Sequence, residues 1–231
     1  MINAMIRAVF FDMGSTLVFD DGFGERLREI LVNILKPHGV GRGDVDRAME
    51  RWDDIPFERG LEEYWDLFRV ALLLRRLGVM PTPLLVQEVY TSILNAWIEG
   101  YRFDEQARPV VVELKRRGYV VGIITNVGSY EATYRQLRRG GLMPLVDVVI
   151  ASQEVVWKKP DPRIFRAAAH LAGVRPEEAV HVGDDPEADV KGAKSAGFKA
   201  IQRLKKGVDP APEADAHINE LGEVLDLVEK F

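Results

Sequence analysis

Carboxylates at Asp12, Asp184, Asp185 and Asp189, a hydroxyl at Thr125 and an amine at Lys159 are the groups in this chain whose surroundings suit chemistry. Asp12 follows the apolar run Ala8-Val9-Phe10-Phe11 and leads into the small-residue turn Met13-Gly14-Ser15-Thr16. Thr125-Asn126 follows Val120-Val121-Gly122-Ile123-Ile124, and Asp184-Asp185 follows Ala179-Val180-His181-Val182-Gly183. Each sits where a buried strand is expected to end, and in an open parallel sheet ligands collect outside the carboxyl ends of the strands. Residues far apart in sequence can converge there. A carboxylate at such a point can act as a nucleophile. Several carboxylates together raise one another's pKa unless a cation joins them, and an all-oxygen set suits a hard divalent ion such as Mg²⁺. Each group also has a plain structural use: Asp opens turns and caps helices, Thr caps helices, and an isolated lysine is normally solvated.

The elements that must position these groups follow from periodicity. After a turn at Val18-Phe19-Asp20-Asp21-Gly22, apolar residues recur at helical spacing in four successive runs: Leu27 to Leu35, Val45 to Trp52, Leu61 to Leu77 and Leu85 to Trp97. No strand-like segment interrupts them. From Gln106 the pattern alternates. Helical runs separate continuous apolar strands at 120–124, 147–151 and 179–182, a short strand at 200–202 and an edge strand at 216–218. Continuous rather than alternating apolar character fits strands buried on both faces. The prediction is an α/β fold, a Rossmann-like doubly wound parallel sheet, with an inserted all-helical cap. The expected core spans 1–20 and 103–231, and the expected cap 21–102.

The chain has 231 residues, 47% of them hydrophobic, and a net charge of −5, which is enough for a full core plus an insertion. Cysteine is absent, so disulfides, thiolate metal sites and a cysteine nucleophile are excluded. No apolar run approaches the ~18 residues of a membrane span, no secretory pattern is evident, and a cytoplasmic protein without a membrane partner is expected. The acidic balance argues against broad nucleic-acid binding. Short basic pairs such as Arg116-Arg117 and Lys205-Lys206 are expected to be solvated helix or loop ends.

Asp12-Met13-Gly14-Ser15-Thr16-Leu17 resembles the first motif of the haloacid dehalogenase superfamily, whose phosphatases carry Asp-x-Asp-x-Thr. The resemblance continues in order. Ile123-Ile124-Thr125-Asn126 resembles the second motif, Lys159-Pro160-Asp161-Pro162 the third, and Gly183-Asp184-Asp185-Pro186-Glu187-Ala188-Asp189 the fourth. It implies that Asp12 is a nucleophile forming an aspartyl-phosphate, that Thr125 and the backbone at Asn126 bind phosphate, and that Lys159, rather than the neighbouring Lys158, holds nucleophile and phosphoryl group. It further implies a Mg²⁺ site from Asp12, the main-chain carbonyl of Gly14 and Asp184, with Asp189 behind it and Asp185 in either role. Where the phosphatases place their second Asp, the general acid/base, this chain has Gly14.

The leading expectation is a Mg²⁺-dependent phosphatase of a small phosphorylated metabolite, working as a monomer or homodimer. It should be slow or favour good leaving groups, since general acid/base catalysis typically supplies ~10²- to 10⁴-fold. Asp20, Asp21, Asp53 or Glu58 could replace the missing acid, and Arg51, Trp52, Phe57, Glu58 and Arg59 could read the leaving group. One alternative is a 2-haloacid dehalogenase, which needs neither metal nor a second Asp; those enzymes have an uncharged motif where this chain has its acidic loop, and an aromatic residue in place of Gly14. The other is a non-catalytic member that binds a phosphorylated ligand or a protein.

Overall fold

The computed structural model describes residues 5–231 except Asp53 and residues 55–59. Asp53, Phe57, Glu58 and Arg59 therefore lie outside the described residues. Elements run in the order β1 (Ala8–Phe11), β2 (Val18–Asp20), α1 (Phe23–Leu35), α2 (Arg42–Met49), α3 (Asp66–Arg76), α4 (Pro83–Glu99), β3 (Tyr101–Phe103), α5 (Ala107–Arg116), β4 (Val120–Thr125) and α6 (Tyr130–Arg139). Then come β5 (Val148–Ala151), the single turn α7 (Ser152–Val155), α8 (Pro162–Leu171), β6 (Ala179–Gly183), α9 (Gly192–Ala196), β7 (Lys199–Arg203), β8 (Ala216–Ile218) and α10 (Val224–Leu227).

The chain forms two compact units. The first, residues 1–19, 61–63 and 103–231, is built on a six-stranded sheet of order β5-β4-β1-β6-β7-β8. Every pairing is parallel. β1 and β6 are buried along their whole length, as strands covered on both faces must be. The order reverses at β1: the chain builds outward through β4 and β5, then returns to β1's other side with β6. That reversal opens a crevice at the strand ends. Register fixes the level, since Phe11 is opposite both Ile123 and Val182. Asp12, Thr125 and Asp184 thus leave three adjacent strands within about one residue of each other. One packing face is filled by Phe10, Phe165 and Phe198, the ring of Phe198 lying 5.7 Å from each of the other two.

The second unit, residues 20–60 and 64–102, holds α1 to α4 around Leu27, Leu31, Leu35, Val45, Val70, Leu73, Leu74, Val89 and Ile93. Leu27, Leu31 and Leu35 recur every fourth residue and bury one stripe of α1. α4 begins at Pro83 after Thr82, whose hydroxyl accepts from Leu85 N. Among the described residues no helix is long and apolar enough to cross a membrane.

The third helical run starts later than its periodicity indicates. α3 begins at Asp66, and Leu61–Glu63 is extended and belongs to the first unit. Glu62 bridges Trp157, Glu63 N donates to Val156 O at 2.6 Å, and Lys158 N donates to Leu61 O at 2.8 Å. Backbone pairing with the Val156–Lys158 edge satisfies groups that a longer helix would have paired internally, and it overrides the helical pattern. The three-residue strands β2 and β3 pair with each other in a second small sheet; the first occupies a segment whose composition reads as a turn.

Gly183 shows how closely the site is packed on the sheet. A Cβ there would lie 2.2 Å from Cγ of Asp189. Asp189 is itself fixed, so a methyl group cannot be absorbed by rotation. Gly183→Ala should destabilise the protein by about 1–3 kcal/mol, the usual range for overpacking, read as a lower urea midpoint. An unchanged midpoint would show that Asp189 moves freely.

Candidate active site

Asp12, Gly14, Thr125, Asn126, Lys159, Asp184, Asp185, Ala188 and Asp189 line one cavity of about 210 Å³ at the sheet's carboxyl edge. The structure thus brings together the residues expected at the nucleophile, phosphate and metal positions, whereas Asp20, Asp21, Arg51 and Trp52 are not among the cavity's lining residues. Asp12 continues β1, its amide donating to Val182 O at 2.9 Å. The turn after it closes when Leu17 N and Val18 N donate to Met13 O. Gly14 pairs with Val18, its backbone lies outside the left-handed region, and a Cβ there would meet only Asp12 Oδ2, at 4.0 Å.

Lys159 is the centre. Its Nζ donates to Asp12 Oδ1 at 2.6 Å, to Asp189 Oδ1 at 2.5 Å and to Ile124 O at 3.0 Å, and only 4% of the residue is exposed. Asn126 aims that lysine from behind. Its Oδ1 accepts from Lys159 N at 2.7 Å and its Nδ2 donates to Lys159 O at 2.9 Å. The side chain of Asn126 is thus engaged with a backbone, while Thr125 is buried at the end of β4 beside it. The Lys159-Pro160 bond is cis, and α8 starts directly after with Asp161 as its cap. Lys158 contacts Leu61 through its backbone and is not among the cavity's lining residues.

Asp189 accepts three hydrogen bonds: from Lys159, from His181 Nε2 at 2.9 Å and from Asp185 N at 3.0 Å. Burial opposes its charge, but Lys159 and His181 prevail and hold its carboxyl well below the usual range. His181, buried on β6, is kept neutral by desolvation. Its Nε2 carries the proton toward Asp189, and its Nδ1 has no partner among the described residues. Asp185 turns outward and caps the wide turn Pro186–Lys191, accepting from Glu187 N and Ala188 N at 2.8 Å each. Of the two residues in question, Asp189 and not Asp185 joins the carboxylate group.

Two residues of this site escape sequence reading. His181 interrupts an apolar strand, and that interruption was the available signal. Lys205 is the exposed loop residue expected, but its Nζ also reaches Asp184 Oδ2, a contact the sequence does not signal.

Asp12, Asp184 and Asp189 are buried and offer oxygens within 4.8 Å of one another. Desolvation raises Asp12 to about 7, against the pull of Lys159, and also raises Asp184, against that of Lys205. Burial disfavours the charged form of Lys159, yet Asp12 and Asp189 around it push its pKa up. Carboxylates that burial holds above their ordinary range are short of positive charge. An all-oxygen donor set of this kind fits Mg²⁺.

The chain matches the family of haloacid dehalogenase-like hydrolases over residues 6–197 and belongs to it. A glyceraldehyde 3-phosphate phosphatase of Methanopyrus kandleri is 29% identical over 239 residues, spanning 98% of this chain and 99% of the relative. One from Pyrococcus furiosus is 30% identical, spanning 97% and 94%. The crystal structure of a 2-haloacid dehalogenase from Pseudomonas syringae pv. Tomato DC3000 superposes with a TM-score of 0.77 at 25% identity, over 98% of this chain and 99% of that one.

The raised Asp12 gives a signed pH dependence. A divalent cation needs ionised carboxylates, so below pH 7 it must displace a proton from Asp12, and its affinity falls as pH falls. Calorimetric Mg²⁺ titrations should show binding weaker at pH 6 than at pH 8 by on the order of tenfold, with buffer-dependent heats from the released proton. Equal affinities at the two pH values would mean that the cation displaces no proton from Asp12.

Proposed function

We propose that this protein is a Mg²⁺-dependent phosphatase of a small phosphorylated metabolite, acting through an aspartyl-phosphate on Asp12. The observation that carries the reading is the Lys159 ammonium group held between Asp12 and Asp189 beside a third buried carboxylate, Asp184. Like charges at contact repel strongly in a water-poor site, so a carboxylate can attack a phosphate dianion only where cations offset both. Phosphatase relatives of nearly full length support it further.

Asp12 attacks phosphorus in line, forming an Oδ–P bond as the bond to the leaving oxygen breaks. Lys159 keeps Asp12 aimed and stabilises the charge on the phosphoryl oxygens. Thr125, with the backbone at Asn126, holds those oxygens from the side of β4. Mg²⁺, held by Asp12, Asp184 and the Gly14 carbonyl, would supply Lewis-acid stabilisation of the phosphoryl group. Water then attacks phosphorus and releases inorganic phosphate, restoring the Asp12 carboxylate. In this reading the helical insertion expected at 21–102 is the family's cap domain, and 1–20 with 103–231 is its core. Asp20, one proposed substitute acid, already accepts at 2.8 Å from Phe23 N, the first amide of α1.

A second reading, a 2-haloacid dehalogenase, is favoured by Gly14 and by the structural likeness to such an enzyme. The buried acids at Asp184 and Asp189 speak against it, since that chemistry has no use for a metal-suited group. Turnover of an activated aryl phosphate and of a chloro-acid, each with and without Mg²⁺, separates the two. The expected result is phosphate release that needs Mg²⁺, stops in chelator and is lost in a folded Asp12→Asn variant. Chloride release in chelator, or an Asp12→Asn variant keeping more than a few per cent of activity, would overturn the phosphatase mechanism.

Gly14 sets the expected weakness of the enzyme. Because its backbone is ordinary and the space around it open, Gly14→Asp should fold and raise turnover. The gain should be larger for alkyl than for aryl phosphates, with a ceiling of roughly 10²- to 10⁴-fold. Unchanged alkyl-phosphate turnover, with melting temperature and Mg²⁺ affinity preserved, would show that position 14 does not limit the reaction.

A further inference from the structure

The contact between Lys205 and Asp184 has no part in the reaction just described, and the loop that carries this exposed lysine is anchored by buried groups. Lys205 lies in the loop joining β7 to β8, with Nζ on Asp184 Oδ2. Gln202, fully buried in β7, anchors that loop. Its Oε1 accepts from Ala211 N at 2.6 Å, and its Nε2 donates at 3.4 Å to the carbonyls of Asp184 and of Asp209. His217 on β8 meets Ala211 O at 3.0 Å. One buried amide therefore ties the loop to the backbone of the residue whose carboxylate Lys205 covers.

Charge explains what the lysine does there. Lys159 contacts Asp12 and Asp189, and Lys205 contacts Asp184. Without Lys205, three clustered carboxylates would, once ionised, face a single ammonium group, leaving two negative charges in a desolvated site. A divalent cation balances both, whereas a lysine balances one. We propose that Lys205 is a tethered internal counter-ion for the metal-free site, which Mg²⁺ must displace from Asp184 on binding. The inference rests on the Mg²⁺ reading of Asp184 above. It means that this chain binds metal more weakly than its carboxylates alone would, and that the metal-free protein is protected from its own buried charge. Displacement is easy for the lysine, because its side chain is 42% exposed and can return to water on its flexible stem.

Lys206 provides the control, being exposed at the next position with the same charge. Mg²⁺ titration by calorimetry should show Lys205→Gln binding tighter than the parent by on the order of fivefold, and Lys206→Gln unchanged within about twofold. In chelator, Lys205→Gln should melt below the parent, and saturating Mg²⁺ should abolish that difference. Equal shifts in the two variants would reduce the effect to long-range charge and overturn the proposal, as would unchanged or weaker binding in Lys205→Gln. A parent protein that binds no Mg²⁺ would instead remove the metal reading of Asp184 itself, and the displacement with it.

Discussion

Lys159 makes one ammonium group serve two buried carboxylates, at 2.6 Å from Asp12 and 2.5 Å from Asp189. Removing one partner from such a buried pair typically costs about 3–5 kcal/mol, because an uncompensated charge is left behind. Much of the surrounding structure limits where that group can be. Asn126 grips the lysine's peptide on both sides, His181 and the Asp185 amide hold Asp189 from beneath and beside, and Gly183 leaves out a side chain so that Asp189 can lie against β6. The reactive arrangement is an electrostatic balance maintained by neutral groups. His181 fits this role because it is kept uncharged: a protonated imidazole at that depth would compete with Lys159 for the same carboxylate.

Much of this was legible in the sequence, for a definite reason. Apolar runs that end in Asp12, Thr125 and Asp184 encode both a buried strand and its terminus, and a parallel sheet brings such termini together. Lys159 could be placed by its motif and by the need for a cation. The residues that escaped notice are those whose role depends on packing across the sheet. His181 reads as an ordinary interruption of a strand, and the reach of the exposed Lys205 to Asp184 does not show, until β6 and β7 are set side by side. Leu61–Glu63 misled in the opposite direction. Leu61, Tyr64, Trp65 and Phe68 keep helical spacing, but the backbone of Leu61–Glu63 pairs with Val156–Lys158 instead.

The fold by itself does not choose between phosphoryl transfer and dehalogenation, since relatives named for both reactions superpose on or align with nearly the whole chain. Both chemistries begin with a carboxylate at the end of the central strand. What differs is the charge around it. Here two further acids are buried within reach of Asp12, and two lysines are committed to the three carboxylates. In the proposed reaction Gly14 leaves departure of the leaving group without a dedicated acid, while the carboxylates and lysines needed for attack are all present.

Asp12 and its cation are 147 residues apart in the chain. Their meeting requires β1, β4 and the segment leading into α8 to be in place, and Asp189 joins only after β6 has been added. Contacts of such long range form late, because loop closure must be completed before they contribute. During synthesis from the amino end, Asp12 therefore emerges long before the lysine that neutralises it, and a growing chain that has reached only β5 carries that acid without its counter-charge. The ion pair cannot help to guide the early sheet. Apolar strands such as β1 and β4 must do that unaided, and the charged centre is a product of folding rather than one of its causes.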